Sequence, residues 1–118
     1  MKLKTNPSNE HYLTLMKTLW KSKRRVWRTV FKYLNRPNKR RIAINISRIN
    51  KNTKENDIVV VPGKVLGCGD FDHKVASIAA VSFSKSALQK IQEKNIKAES
   101  ILDLYHRNPE GKNVKIII

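Results

Sequence analysis

Apolar positions along the chain change their period several times, and each change marks an element. Leu13, Met16 and Trp20, with Leu19 beside them, recur at helical spacing. Ser8 or Asn9 after Pro7 supplies a cap, and Glu10 places an anion in the first turn, so a helix is predicted over residues 9–21. Beyond the joint Lys21-Ser22-Lys23-Arg24-Arg25, the residues Val26, Trp27, Val30, Phe31 and Leu34 form the stripe of a second amphipathic helix. Two helices with so short a link are expected to pack as a pair, each hiding its tryptophan. Asn35-Arg36-Pro37-Asn38 ends the pair, because proline disfavours helical geometry in the residue before it.

From there the period becomes two. Ile42, Ile44 and Ile46 share one face of a short strand, and Ser47 is expected to cap a brief helix through Asn50. Ile58 to Val61 are four β-branched residues between Asp57 and Pro62-Gly63, the length and composition of a strand buried on both faces. A glycine loop with Gly63, Gly67 and Gly69 around Lys64 follows, expected to use positive φ and close backbone approach. Residues 75–83 predict a second buried strand, Ser84 the cap of a helix to Lys94, and residues 96–99 a very short strand. Ser100 caps a helix to Arg107, and residues 114–118 form a last strand. The order is a helix pair, a strand, then β-loop-β-α-β-α-β: a small single α/β domain.

Charge changes this picture more than any element does. The 118 residues carry a formal net charge of +16, and residues 1–54 hold 16 lysines and arginines against the single acid Glu10. The remainder is nearly neutral. The chain therefore divides into a basic front with the helix pair, residues 1–54, and a packed α/β core, residues 55–118. A field of that size over half a surface repels itself unless a polyanion neutralises it. Arg24, Arg25, Arg28, Arg36, Lys39, Arg40 and Arg41 have no acids near them in sequence, and guanidinium groups hold phosphate bidentately, so nucleic-acid backbone binding is expected there. Tyr12, Trp20, Trp27 and Tyr33 sit among Leu and Val at helical spacing and are expected in the core rather than against bases.

The glycine loop fails the nucleotide templates. Gly63-Lys64-Val65 lacks the hydroxyl residue that a phosphate loop needs after its lysine, and Phe71-Asp72 stands where a dinucleotide fingerprint needs glycine. Cys68, Asp70, Asp72 and His73 cluster within six residues, but their spacing matches no zinc pattern and no second cysteine exists. No cofactor, metal or catalytic site is expected, and His73 and Lys74 are expected to face the same partner as Lys64. No apolar run approaches a bilayer's width, and Met-Lys-Leu-Lys-Thr-Asn-Pro, with no apolar stretch behind its charges, is not expected to be a signal peptide.

Four ordered blocks carry a resemblance: Arg40 to Ile49, Asp57 to Gly67, Asp72-His73-Lys74-Val75, and Arg107-Asn108-Pro109-Glu110-Gly111. On these the chain resembles the L-eighteen-e family of large-subunit ribosomal proteins, shared by archaea and eukaryotes and related to bacterial large-subunit protein fifteen. The resemblance implies an irregular β-β-α core and a structural, non-enzymatic role in the cytoplasmic ribosome. It also implies contacts to large-subunit ribosomal RNA and neighbouring ribosomal proteins, with no membrane, no small-molecule substrate and no homo-oligomer. The family's basic segment falls on Lys39, Arg40, Arg41 and Arg48, and its glycine-lysine loop on Gly63, Lys64 and Gly67, followed by His73 and Lys74. Asn38 and Cys68 depart from the family pattern, where a basic and a small residue are expected. Without the long basic C-terminal extension of eukaryotic members, an archaeal-type member is expected. The alternative is a DNA-binding helix-turn-helix protein using residues 9–35, with Arg24, Arg25 and Arg28 reading bases; the basic residues that continue to Arg48 make a broader surface than one groove-reading helix needs.

Overall fold

A computed structural model describes residues 10–35 and 42–118, with the backbone alone for 10–12. The expected cap at Ser8 or Asn9, the turn at Pro37, and Tyr12's side chain lie outside the described residues. Helices α1 (Glu10–Lys21) and α2 (Arg25–Leu34) come first. Strand β1 (Ile42–Asn45), helix α3 (Ile46–Lys51) and the long strand β2 (Ile58–Leu66) follow. The chain continues through β3 (Ser77–Phe83), α4 (Lys85–Glu93), β4 (Lys97–Ser100), α5 (Ile101–Arg107) and β5 (Val114–Ile116). The expected α/β class and element order are those observed.

All five strands run parallel, in the order β1-β2-β3-β4, with β5 also paired to β2. Strand β3 takes one edge of β2 from Ile58 to Val65. The other edge is therefore shared in tandem, by β5 along Ile58 to Val60 and by β1 along Gly63 to Leu66. Pro62 falls in the gap between them and in a register shift against β3, where its missing N–H leaves no ladder bond unmade. For that reason the strand does not stop at Pro62-Gly63, as the sequence led us to expect. It runs on to Leu66. Gly63 belongs to the strand and has no positive φ; a Cβ there would stand 2.1 Å from the carbonyl oxygen of Ile42, so β1 can close on β2 only over a glycine.

Alternation along β2 and β3 sends side chains into two cores. Val59, Val61 and Val65, with Ile78 and Ala80, pack under Ile46 and Ile49 of α3, Ala87 and Ile91 of α4, and Phe71 and Val75 of the crossover. Val60 and Ala79 face the other way, against Leu15, Met16 and Leu19 of α1, Trp27, Val30, Phe31 and Leu34 of α2, and Ile101 and Leu104 of α5. The helix pair thus shares its core with the sheet.

Trp27 is fully buried, and its Nε1 donates to the carbonyl oxygen of Pro109 at 3.0 Å. Tyr105 meets its ring edge-on at 5.3 Å. The turn that offers this acceptor is held by Asn108, whose side chain bonds Lys112 at both N and O, and by Gly111 at φ +70 directly beside Val26. The block Arg107 to Gly111 is the bracket that fastens α2 to the core.

Ser84 and Ser100 cap α4 and α5 as expected, accepting from Ala87 N and Asp103 N at 3.1 Å each. Ser47 does not cap α3. That helix starts two residues earlier, at Ile46 with Asn45 as its N-cap, and the Ser47 N–H instead donates to the Cys68 carbonyl.

Candidate nucleic-acid interface

Helices α1 and α2 bury one face against the sheet and turn the other outward. That outer surface carries Lys17, Lys21, Lys23, Arg24, Arg25, Arg28 and Lys32, all exposed, and no acid lies between residues 11 and 54. The expected stripe of α1 is rotated: Leu15, Met16 and Leu19 are buried, so Trp20 falls at the margin and remains 39% exposed. Arg28 lies with its guanidinium 4.3 Å from the Trp20 ring centroid and its Nε donating to the Ser22 carbonyl at 3.0 Å. Phe31 supports the indole at 5.3 Å. Trp20 is thus a surface residue, contrary to expectation, while Trp27 is in the core as expected. Tyr33 is half-buried.

Arg36, Lys39, Arg40 and Arg41 lie outside the described residues, between Asn35 and the start of β1. Arg48, exposed on α3, donates from Nε to the Ile118 carbonyl at 2.7 Å, and with Asn52 and Lys115 lines a groove of about 350 Å³. Lys64 is exposed at the far end of β2, beside a mainly apolar groove of about 270 Å³ that includes Tyr33, Leu34, Pro62 and Val81.

His73 and Lys74 are not beside Lys64. The connection over residues 67–76 runs back along α3 to the start of the sheet, where the Lys74 carbonyl accepts from Asn56 N at 2.9 Å. Lys74 therefore sits one end of β2 away from Lys64, about 20 Å by strand rise. Of the loop glycines only Gly69 has positive φ, at +106, packed on Ser47. Gly67 is needed for approach to α4, since a Cβ there would stand 2.0 Å from Ser86 Oγ and 2.8 Å from Ala87 N.

His73 binds inward at both ring nitrogens, Nδ1 to the Asp72 carboxylate and Nε2 to Thr53 Oγ1, each at 2.8 Å. Thr53 spends its hydroxyl proton on the Ile49 carbonyl, so toward His73 it can only accept; an ionised Asp72 can only accept too. Asp-His-Thr here is a clamp joining the crossover to the end of α3, with the threonine hydroxyl committed to a backbone carbonyl rather than poised as a nucleophile.

Hydrogen bonds from His73 and then Asn50 hold the Asp72 carboxyl below its ordinary value of 3.8. A depressed carboxylate stabilises the fold above its unfolded pKa and loses that contribution as pH falls through the folded value. The stability gap between wild type and Asp72→Asn should therefore narrow as pH falls below about 4. A gap that stays constant down to pH 2 in urea titrations would exclude the clamp.

Sequence reasoning passed over Lys17, Lys21, Lys23, Lys32 and Lys115 as individual candidates. The acid-free run was the signal for the first four; Lys115 reaches Arg48's groove only through the pairing of β5 with β2.

No family model matches the chain. A large ribosomal subunit protein eL18 from Sulfurisphaera tokodaii is 42% identical over 117 residues, covering 99% of this chain and 98% of its own length. The chain belongs to the eL18 family of large ribosomal subunit proteins. Other eL18 proteins, from Methanothermobacter thermautotrophicus and Pyrobaculum aerophilum, are 39% and 34% identical, each covering 97% of the chain and 94% and 96% of their own lengths. All three sources are archaeal, in keeping with the archaeal-type resemblance. Seen as an eL18 chain, the block Arg107 to Gly111 has a structural purpose in holding Trp27, and Asp72-His73 one in pinning the crossover.

Proposed function

We propose that the chain binds large-subunit ribosomal RNA through its phosphates, with residues 1–54 as the binding front, and so serves as a structural, non-enzymatic constituent of the ribosome in the cytoplasm. The observation that carries this reading is a helix pair docked on the sheet whose charged residues from Lys17 to Lys32 are all cationic and exposed. A lysine or arginine on a fixed mount loses little freedom on meeting a phosphate, and with no acid from residue 11 to 54 the field is not cancelled within the chain. Arg24, Arg25 and Arg28 on α2, Arg36 to Arg41 beyond it, Arg48 on α3 and Lys64 on β2 are the contacts. Lys74 adds charge at the opposite end of the sheet, His73 shapes the crossover that carries it, and Gly63 and Gly67 keep the surrounding backbone close-packed. Neighbouring ribosomal proteins are the other partners, and the chain acts as one copy.

Nothing favours the DNA-binding alternative: α2 has its Trp27, Val30, Phe31 and Leu34 committed to the sheet, and charge extends well past its ends.

Replacing Lys39, Arg40 and Arg41 together with alanine should lower the magnitude of the log-affinity against log-salt slope by about two to three, at roughly 0.7 to 0.9 per phosphate. The loss should be similar on cognate and unrelated structured RNA, since phosphates carry no direct sequence information. An unchanged slope with lost discrimination between RNAs would replace phosphate contact with base reading.

A further inference from the structure

The Trp20-Arg28 pair has a geometry that phosphate binding alone does not call for. An exposed tryptophan on a domain that buries its other one is costly to keep, and Phe31 and Met16 show that apolar packing was at hand within a turn. Arg28 is fixed twice, by the indole beneath it and by the Ser22 carbonyl at its Nε, so its planar group cannot swing as a surface arginine does. Among the described residues no carboxylate pairs with it, and every charged residue from 11 to 54 is a cation. The pair therefore presents an exposed, positively charged guanidinium held over an aromatic ring.

Building on the ribosomal RNA reading, we infer that Trp20 and Arg28 form a stacking platform for an unpaired nucleotide of the bound RNA, the base lying on the platform and its phosphate taken by the Arg28 Nη groups. Bases stack on aromatic rings and on guanidinium planes alike, whereas a paired base inside a duplex offers no free face. The surrounding lysines and arginines favour a polyanion over an apolar protein segment as the occupant, because such a segment would have to bury them unpaired.

The test uses the full chain with two probes: a short single-stranded RNA containing 5-bromouridine, and a fully paired RNA duplex. Trp20→Leu and Arg28→Lys should each weaken the single-stranded probe about tenfold, in line with the loss of one stacked base. Trp20→Leu, which removes no charge, should leave duplex affinity within about twofold. Trp20→Phe should recover most of the loss. Irradiation should cross-link the single-stranded probe at Trp20 and not at buried Trp27. Unchanged single-strand affinity in both variants, or equal losses on both probes, would overturn the platform while leaving phosphate binding intact. Wild-type protein that binds neither probe would overturn the RNA reading itself. Variants that bind both RNAs normally yet fail to enter large subunits would assign the patch to a protein neighbour and also overturn the platform.

Discussion

Trp27→Ala should lower the free energy of unfolding by about 3–5 kcal/mol, the range for removing a fully buried large aromatic side chain. Few single changes in this chain should cost more. The substitution empties the centre of the core that joins α1 and α2 to the sheet, and it leaves the Pro109 carbonyl without its 3.0 Å donor. The loss is a large part of the total stability of a domain this size, about 5–15 kcal/mol. Equilibrium urea unfolding of the free protein should show the midpoint fall, and limited proteolysis should then cut first in the basic joint between Lys21 and Arg25. Trp27→Phe keeps a six-membered ring and loses the N–H with the rest of the five-membered ring, so it should cost less than alanine but no less than the about 1–2 kcal/mol of the hydrogen bond. A midpoint unmoved by Trp27→Ala would mean that the helix pair is not held by the bracket over residues 107–111.

Gly63→Ala should be nearly as damaging, although it adds a single methyl. The nearest atom to that methyl is the Ile42 carbonyl oxygen at 2.1 Å, with the carbonyl carbon at 2.8 Å, and backbone within a paired strand has no rotamer by which to escape. Strand β1 must therefore move off β2, breaking the pairings of Ile42 to Asn45 with Gly63 to Leu66. A cost of about 2–3 kcal/mol is expected, at the upper end for overpacking. Hydrogen exchange should localise it: amides of residues 63–66 and 42–45 should lose protection while those of β3 and β4 keep theirs. Wild-type stability and protection in Gly63→Ala, with weakened RNA binding, would return this glycine to the role of a surface contact.

Most of the fold could be read from periodicity because most elements here are amphipathic or fully buried, so their apolar spacing matches their geometry. Serines at positions 84 and 100 marked their helices accurately for the same reason: a cap is a local interaction between a hydroxyl and an amide three residues on. Ser47 was a local miss, since α3 starts before it with Asn45 as N-cap; the other failures were tertiary. Pro62-Gly63 has the composition of a turn, and only the tandem pairing of β1 and β5 on one edge explains why a strand passes through it. Trp20 fits the α1 stripe by spacing, yet the angle at which α1 meets the sheet favours Leu15, Met16 and Leu19. His73 and Lys74 adjoin Lys64 in sequence, and an irregular crossover carries them to the opposite end of the sheet. Of the expected binding residues, the charge asymmetry located the helix-pair face correctly as a surface, because charge without acids has to stay in solvent. It gave no hint that Arg28 is immobilised, since that depends on the exposure of Trp20.

The two occupants of one edge of β2 are separated by the rest of the chain. Strand β1 is made before β2, while β5 and the Pro109 carbonyl are made after every other element. During synthesis the central strand therefore waits with half of one edge unpaired, and Trp27 waits without its acceptor, until residues 109–117 emerge. Parallel pairing across such separations is slow, and an open strand edge on a nascent chain invites other partners. For this chain the danger is greatest in the interval when its basic helices already exist and its last strand does not. The time taken to translate residues 109–117, rather than the strength of the finished core, should govern how much of it is lost to aggregation or premature capture by RNA.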